Sequence, residues 1–78
     1  MKFKSIDTLV ICLENCHQCH DFMLKHPELL YIELSRNSVE NKKNHPDIVL
    51  FLEKNKLDEF PIIVTKNLSD FIKFEEYL

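Results

Sequence analysis

Glycine is absent from this chain of 78 residues, and long apolar runs are absent as well. Because glycine is the residue that most easily adopts a positive φ, helix ends here must use other residues, and we expect Asn55 to end a helix in that conformation. The apolar run at residues 9–13 leads straight into charge and is far shorter than the roughly 20 residues of a membrane span. We therefore expect neither a signal peptide nor a transmembrane helix.

Positive charge and cysteine are also limited. The chain has 10 Lys and Arg residues against 13 Asp and Glu, its formal net charge is −3, and its basic residues are scattered. Such a distribution predicts no nucleic-acid partner. Three cysteines without a secretory signal argue against a disulfide-stapled secreted protein and favour a reducing, cytoplasmic location.

Four apolar stretches are predicted as strands, at residues 8–13, 30–34, 59–65 and 71–74. The first and third are apolar at both odd and even positions, which is typical of central strands that are buried on both faces. The second and fourth each carry a charged position, which indicates edge strands. The first two strands are joined through a helix, so we expect them to be parallel, and a hairpin follows. We predict an α/β fold with a four-stranded mixed sheet of order β2-β1-β3-β4.

A first helix is predicted to open at Cys16 and to end before Pro27, because the residue before proline avoids helical angles. Four of its residues have the spacing of one buried face, namely Cys19, Phe22, Met23 and His26. Cys12, in the strand before it, is expected to be a small core residue that points away from the cysteine loop.

A second helix is predicted to begin at residues 45–47, where Pro46 suits the first turn. Its buried stripe consists of Ile48, Phe51 and Leu52. Residues 35–44 are polar and are predicted as a loop, and residues 75–78 form at most one helical turn. The element order is therefore β-α-β-α-β-β, in a single domain that spans residues 1–78, with a last helix that is truncated or absent.

Cys16 and Cys19 form a Cys-x-x-Cys motif between the first strand and the first helix. The free N–H groups at a helix start favour a thiolate over a thiol, and a thiolate is the nucleophile of disulfide exchange. The second cysteine lies one turn away, close enough to resolve a mixed disulfide. The motif predicts that Cys16 attacks and Cys19 resolves. His17 between them is either a protonated residue that stabilises the thiolate or a solvent-facing residue with little effect.

The residues alone leave two other interpretations of the motif open. One is a zinc site whose ligands would be Cys12, Cys16, Cys19 and His20, but the chain lacks the second Cys/His pair at the spacing of a zinc finger. The motif with His20 also satisfies the pattern of c-type haem attachment, which would need an export signal and a mostly helical chain. We expect no metal site.

The element order, the Cys-x-x-Cys motif at residues 16–20 and the segment Phe60-Pro61 resemble the thioredoxin superfamily, in particular glutaredoxins and the glutaredoxin-like donors of ribonucleotide reductase. The resemblance implies a cis Phe60–Pro61 bond beside the dithiol, where the backbone of Phe60 pairs with an extended substrate. We expect His17, Gln18, Phe60 and Pro61 to contact the substrate. The Gly-Gly turn that holds a glutathione carboxylate in glutaredoxins is missing near Lys73 and Phe74.

These features together predict a thiol-disulfide oxidoreductase that acts on disulfide-containing proteins. We expect a cytoplasmic monomer with no bound cofactor and with no membrane or nucleic-acid partner. Its electrons would come from an enzyme of the thioredoxin reductase type or from glutathione. The alternatives are a non-catalytic thioredoxin-fold module that binds a partner or senses redox state, and a small zinc-binding protein.

Overall fold

The computed structural model describes residues 5–77. The expectation that the chain starts without a signal peptide concerns residues before this range, and Leu78 lies after it. After a 3-10 turn at Ser5–Asp7, the elements in chain order are β1 (Thr8–Leu13), α1 (His17–Lys25), β2 (Leu30–Leu34), α2 (Ser38–Asn44), α3 (Pro46–Lys54), β3 (Ile62–Thr65), β4 (Phe71–Lys73) and α4 (Phe74–Tyr77). No helix within this described part is long and apolar enough to cross a membrane.

The four strands form one mixed sheet in the order β2-β1-β3-β4. Strand β1 pairs with β2 in parallel and with β3 in antiparallel, and β3 pairs with β4 in antiparallel. The predicted α/β class and strand order are confirmed. The two central strands hold the most deeply buried side chains, including Val10, Ile11, Ile63 and Val64, because residues on both faces of these strands are apolar.

Helices cover both faces of the sheet. Val10 and Cys12 belong to one buried cluster with Cys19 and Phe22 of α1, and Tyr77 of α4 joins them. Leu9 and Ile11, which alternate with these residues along β1, belong to a second cluster that includes the apolar stripe of α3. The alternation of side chains along β1 thus divides the core into two layers, and the layer under α1 contains the cysteines.

The predicted loop at residues 35–44 is wrong, because α2 occupies Ser38–Asn44. The side chain of Asn37 caps this helix by accepting the N–H groups of Val39 and Glu40 at 3.0 and 3.2 Å. None of the α2 residues is buried. The helix therefore lacks the apolar periodicity that reveals most helices in a sequence.

Three further details correct the sequence-based expectations. Asn55 has a φ of −98°, and the positive φ expected of it belongs to Lys56 at 54°. Strand β3 begins at Ile62 rather than at residue 59, since Pro61 has no N–H to donate to a ladder. Met23 is 39% exposed rather than buried, and Leu29 after the helix joins the core instead. Phe74, expected at the end of the last strand, instead begins the one-turn helix α4, which extends to Tyr77, the last described residue.

Candidate functional site

Cys16 is the N-cap residue of α1. Its Sγ accepts the backbone N–H of Cys19 at 3.3 Å, and its carbonyl accepts that of His20 at 3.1 Å. The turn before it is made by Asn15, whose φ is 55°. Asparagine tolerates this left-handed conformation better than most residues, and it serves here where glycine is absent. The chain thereby turns from the end of β1 directly into the helix that carries both cysteines.

Cys19 lies behind Cys16 in the core. Its side chain is 3% exposed, whereas Cys16 is only half-buried. Burial is the main cause that raises the pKa of the Cys19 thiol above its ordinary value, and a hydrogen bond with Cys16 raises this pKa further. The N–H of Leu13 donates a hydrogen bond to the Cys19 sulfur and partly opposes these effects. Cys19 is therefore less accessible than Cys16, and its thiol ionises less readily than an ordinary cysteine thiol.

The segment predicted to face the cysteines does so. The Cys16 thiol donates to the carbonyl of Phe60 at 3.9 Å, across 44 residues of sequence. The Phe60–Pro61 peptide bond is cis, and Pro61 is fully buried. Phe60 is half-buried and packs against both core clusters. Strand β3 follows this segment, so the central sheet fixes its position beside Cys16.

His17 and Gln18 are both exposed in the first turn of α1. His17 lines a surface depression of about 500 Å³ together with Cys16, Cys19 and His20, whereas Gln18 does not line it. The structure therefore brings His17 to the dithiol and leaves Gln18 outside this depression.

Cys12 does not point away from the cysteine loop, contrary to expectation. It lines the same depression as Cys16 and Cys19 and is 2% exposed. Its pKa is raised, mainly by burial, while a hydrogen bond between its side chain and that of Cys19 opposes the rise. The reason is geometric: Cys12 is on the face of β1 that α1 covers, and it precedes the last residue of the strand. All three thiols are free.

Among residues 5–77, no three His, Cys, Asp or Glu side chains are arranged to share one metal ion. The set considered for zinc, Cys12, Cys16, Cys19 and His20, forms no such group.

Arg36 is a residue near the site that the sequence did not reveal. Its side chain donates to the carbonyls of Glu14 and Asn15 at 3.1 and 3.4 Å. Its backbone N–H and the hydroxyl of Ser35 donate to the Glu14 carboxylate at 2.5 and 3.1 Å. The hydrogen bond from the Arg36 N–H, followed by that from the Ser35 hydroxyl, lowers the pKa of Glu14. These hydrogen bonds connect the turn before Cys16 to the end of β2. The sequence does not reveal them, because the bonded residues are 21 and 22 positions apart and form no motif.

A groove of about 400 Å³ lies next to this turn. Leu13, Leu34 and Phe60 contribute apolar lining, Arg36 and Lys42 contribute positive charge, and Glu53 contributes negative charge. The groove and the site share Phe60, whose carbonyl accepts the Cys16 thiol.

Comparison with models of protein families, with curated proteins and with solved structures finds no match to this chain. The relation to the thioredoxin superfamily consequently stays a prediction. What the site offers is its own geometry: an accessible thiol at a helix start, a buried thiol one turn later, and a proline segment beside them.

Proposed function

We propose that this chain is a thiol-disulfide oxidoreductase with a thioredoxin-like fold, most similar in kind to glutaredoxins. One observation carries the proposal: the half-buried Cys16 sulfur accepts the N–H of Cys19 at a helix start and contacts the Phe60 carbonyl. Donors directed at a sulfur stabilise its thiolate form. The strand order and the four-residue α4 suit a trimmed member of that superfamily.

The reaction has two exchange steps. The Cys16 thiolate attacks one sulfur of a substrate disulfide, a Cys16–substrate bond forms, and the other substrate sulfur leaves as a thiolate. Cys19 then loses its proton and attacks the Cys16 sulfur, so that a Cys16–Cys19 disulfide forms and the second substrate thiolate leaves. Two electrons have passed from the dithiol to the substrate. The donor, glutathione or an enzyme of the thioredoxin reductase type, restores both thiols.

The substrate would lie along the Phe60–Pro61 segment. Extended peptides bind well where backbone groups are free to pair with them in β fashion. Within the described structure, the Phe60 carbonyl accepts a single hydrogen bond, the long one of 3.9 Å from the Cys16 thiol. A substrate N–H could replace the Cys16 thiol at this carbonyl when the thiol ionises. His17, at the rim of the depression, would contact the same substrate.

The proposal is tested by reduction of insulin disulfides with dithiothreitol as the electron source. The wild-type protein should accelerate the reaction, and Cys16→Ser should abolish the acceleration. Cys19→Ser should instead accumulate a mixed disulfide at Cys16, because the resolving thiol is missing. Asp21→Ser is the matched control, since Asp21 is exposed on the same helix. A Cys16→Ser protein that still accelerates the reaction would overturn the proposal.

Two alternatives give different results. A redox-sensing or partner-binding module would form the Cys16–Cys19 disulfide without accelerating insulin reduction. A zinc protein would retain about one equivalent of metal per chain when it is purified under reducing conditions. Metal analysis beside the insulin assay therefore separates all three functions.

A further inference from the structure

Cys12, Cys16 and Cys19 all line the surface depression at the start of α1. The Cys19 N–H donates to the Cys16 sulfur at 3.3 Å. A hydrogen bond from the Cys19 side chain also opposes the rise in the pKa of Cys12. Cys12 and Cys19 are 2% and 3% exposed and belong to the same buried cluster. Disulfide exchange through Cys16 and Cys19 makes no use of Cys12.

Strand β1 and helix α1 place Cys12 and Cys19 in the same layer of the core. Cys12 is in β1, which is hydrogen-bonded on both sides by β2 and β3. Cys19 is in the first turn of α1, whose N-cap is Cys16. Two cysteines can be bridged where their side chains point towards each other at short range. The Cys12 and Cys19 side chains share one buried cluster and line one depression, which brings them together between the strand and the helix.

We propose that Cys12 and Cys19 form a second, buried disulfide, which interconverts with the Cys16–Cys19 disulfide by internal exchange. The Cys12 sulfur attacks the Cys19 sulfur, the Cys12–Cys19 bond forms, and the Cys16–Cys19 bond breaks. The electron pair of the broken bond remains on Cys16, and the proton that Cys12 loses neutralises it. No external oxidant or reductant is consumed. The inference rests on the proposed function only for the supply of the first disulfide.

The exchange changes what Cys16 can do. While Cys19 is bonded to Cys12, Cys16 is a free thiol at the surface without a resolving partner. A substrate captured by Cys16 in this state stays attached until the exchange reverses or an external thiol releases it. The chain would thus alternate between a two-cysteine exchange site and a one-cysteine site, with its oxidising equivalent stored in the core.

The decisive variant is Cys16→Ser, which retains Cys12 and Cys19 as its only thiols. Dilute, folded protein is treated with diamide and is then analysed by intact mass spectrometry and thiol counting. We expect both thiols to be lost within one chain, with the mass of an internal disulfide. The control Cys12→Ser/Cys16→Ser has a single thiol, so it can yield only dimers or adducts. Retention of both thiols in Cys16→Ser, or oxidation only to dimers, would overturn the inference.

The wild-type protein provides a test that does not depend on any variant. Oxidised protein is equilibrated, quenched in acid, denatured and labelled with N-ethylmaleimide, and the labelled cysteine is located by fragmentation. A label at Cys12 marks the Cys16–Cys19 disulfide, and a label at Cys16 marks the buried one. We expect both labels, and a label on Cys12 alone at every time point contradicts the inference. Because diamide oxidises the Cys16→Ser protein without a substrate, these results do not depend on the outcome of the insulin assay.

Discussion

Serine and alanine at position 16 should separate the structural role of Cys16 from its chemical role. The Cys16 sulfur caps α1 by accepting the Cys19 N–H at 3.3 Å. A serine hydroxyl can accept the same N–H, but an alanine side chain cannot accept any. Neither replacement can form a disulfide. We therefore expect both variants to be inactive in insulin reduction but to differ in stability.

The expected difference follows from the cap. Replacing a serine-type N-cap by alanine costs about 1 kcal/mol, with a range of roughly 0.5–2. A domain of this size has a free energy of unfolding of roughly 4–12 kcal/mol, at about 0.05–0.15 kcal/mol per residue. The lost cap is thus a measurable part of the total. A difference of about 1 kcal/mol lowers the Tm of such a domain by about 4–8 °C.

Urea unfolding followed by circular dichroism, with a reductant present, measures the difference directly. Cys16→Ser should unfold at a higher urea concentration than Cys16→Ala, with the same dependence of free energy on urea. Equal midpoints would show that the cap bond contributes nothing to stability. Insulin reduction by either variant would refute the chemical role assigned to Cys16.

Three other predictions concern the thiols, the core and the turn before Cys16. Iodoacetamide at neutral pH should label Cys16 and spare Cys19 in the folded protein, because burial blocks Cys19 and raises its pKa; peptide mass spectrometry locates the label. Phe22→Ala should cost about 3–5 kcal/mol in urea unfolding, since Phe22 is 5% exposed and its ring packs against Tyr77 with centroids 5.9 Å apart. Glu14 has a lowered pKa, so its contribution to stability is present above its ordinary value of 4.5 and is lost as the pH falls through the folded value; Glu14→Gln should flatten the fall in stability between about pH 6 and pH 3.

The sheet and two helices were predictable because their signals are local or periodic. Apolar residues at both odd and even positions predicted that β1 and β3 are central strands. The helix after β1 predicted that β2 is parallel to β1. The start of α3 at Pro46 agreed with the preference of proline for a first turn. Helix α2 was missed because its stability comes from the Asn37 cap and from contacts of Asn41 with Ser35, rather than from an apolar face.

The candidate site was predictable in its main pair but not in its surroundings. Cys16 and Cys19 are close in sequence, and Phe60 was placed beside them by the resemblance. The expectation that Cys12 points away from the cysteine loop was wrong. Alternation along a strand shows which residues share a face, but it does not show how close each of them lies to the start of the next helix. The contacts of Arg36 with the turn at Glu14 depend on where β2 ends relative to β1. Such long-range placements come from the assembled sheet.

The most direct test of the central claim is a redox titration of the wild-type protein in glutathione or dithiothreitol buffers. The oxidised fraction is measured by thiol labelling and intact mass at each buffer ratio. Disulfide exchange at Cys16 and Cys19 predicts that two thiols per chain disappear together, as a single two-electron couple that changes tenfold in about 30 mV. Thiols that stay reduced across the whole range, or that disappear only as dimers between chains, would contradict the proposed function.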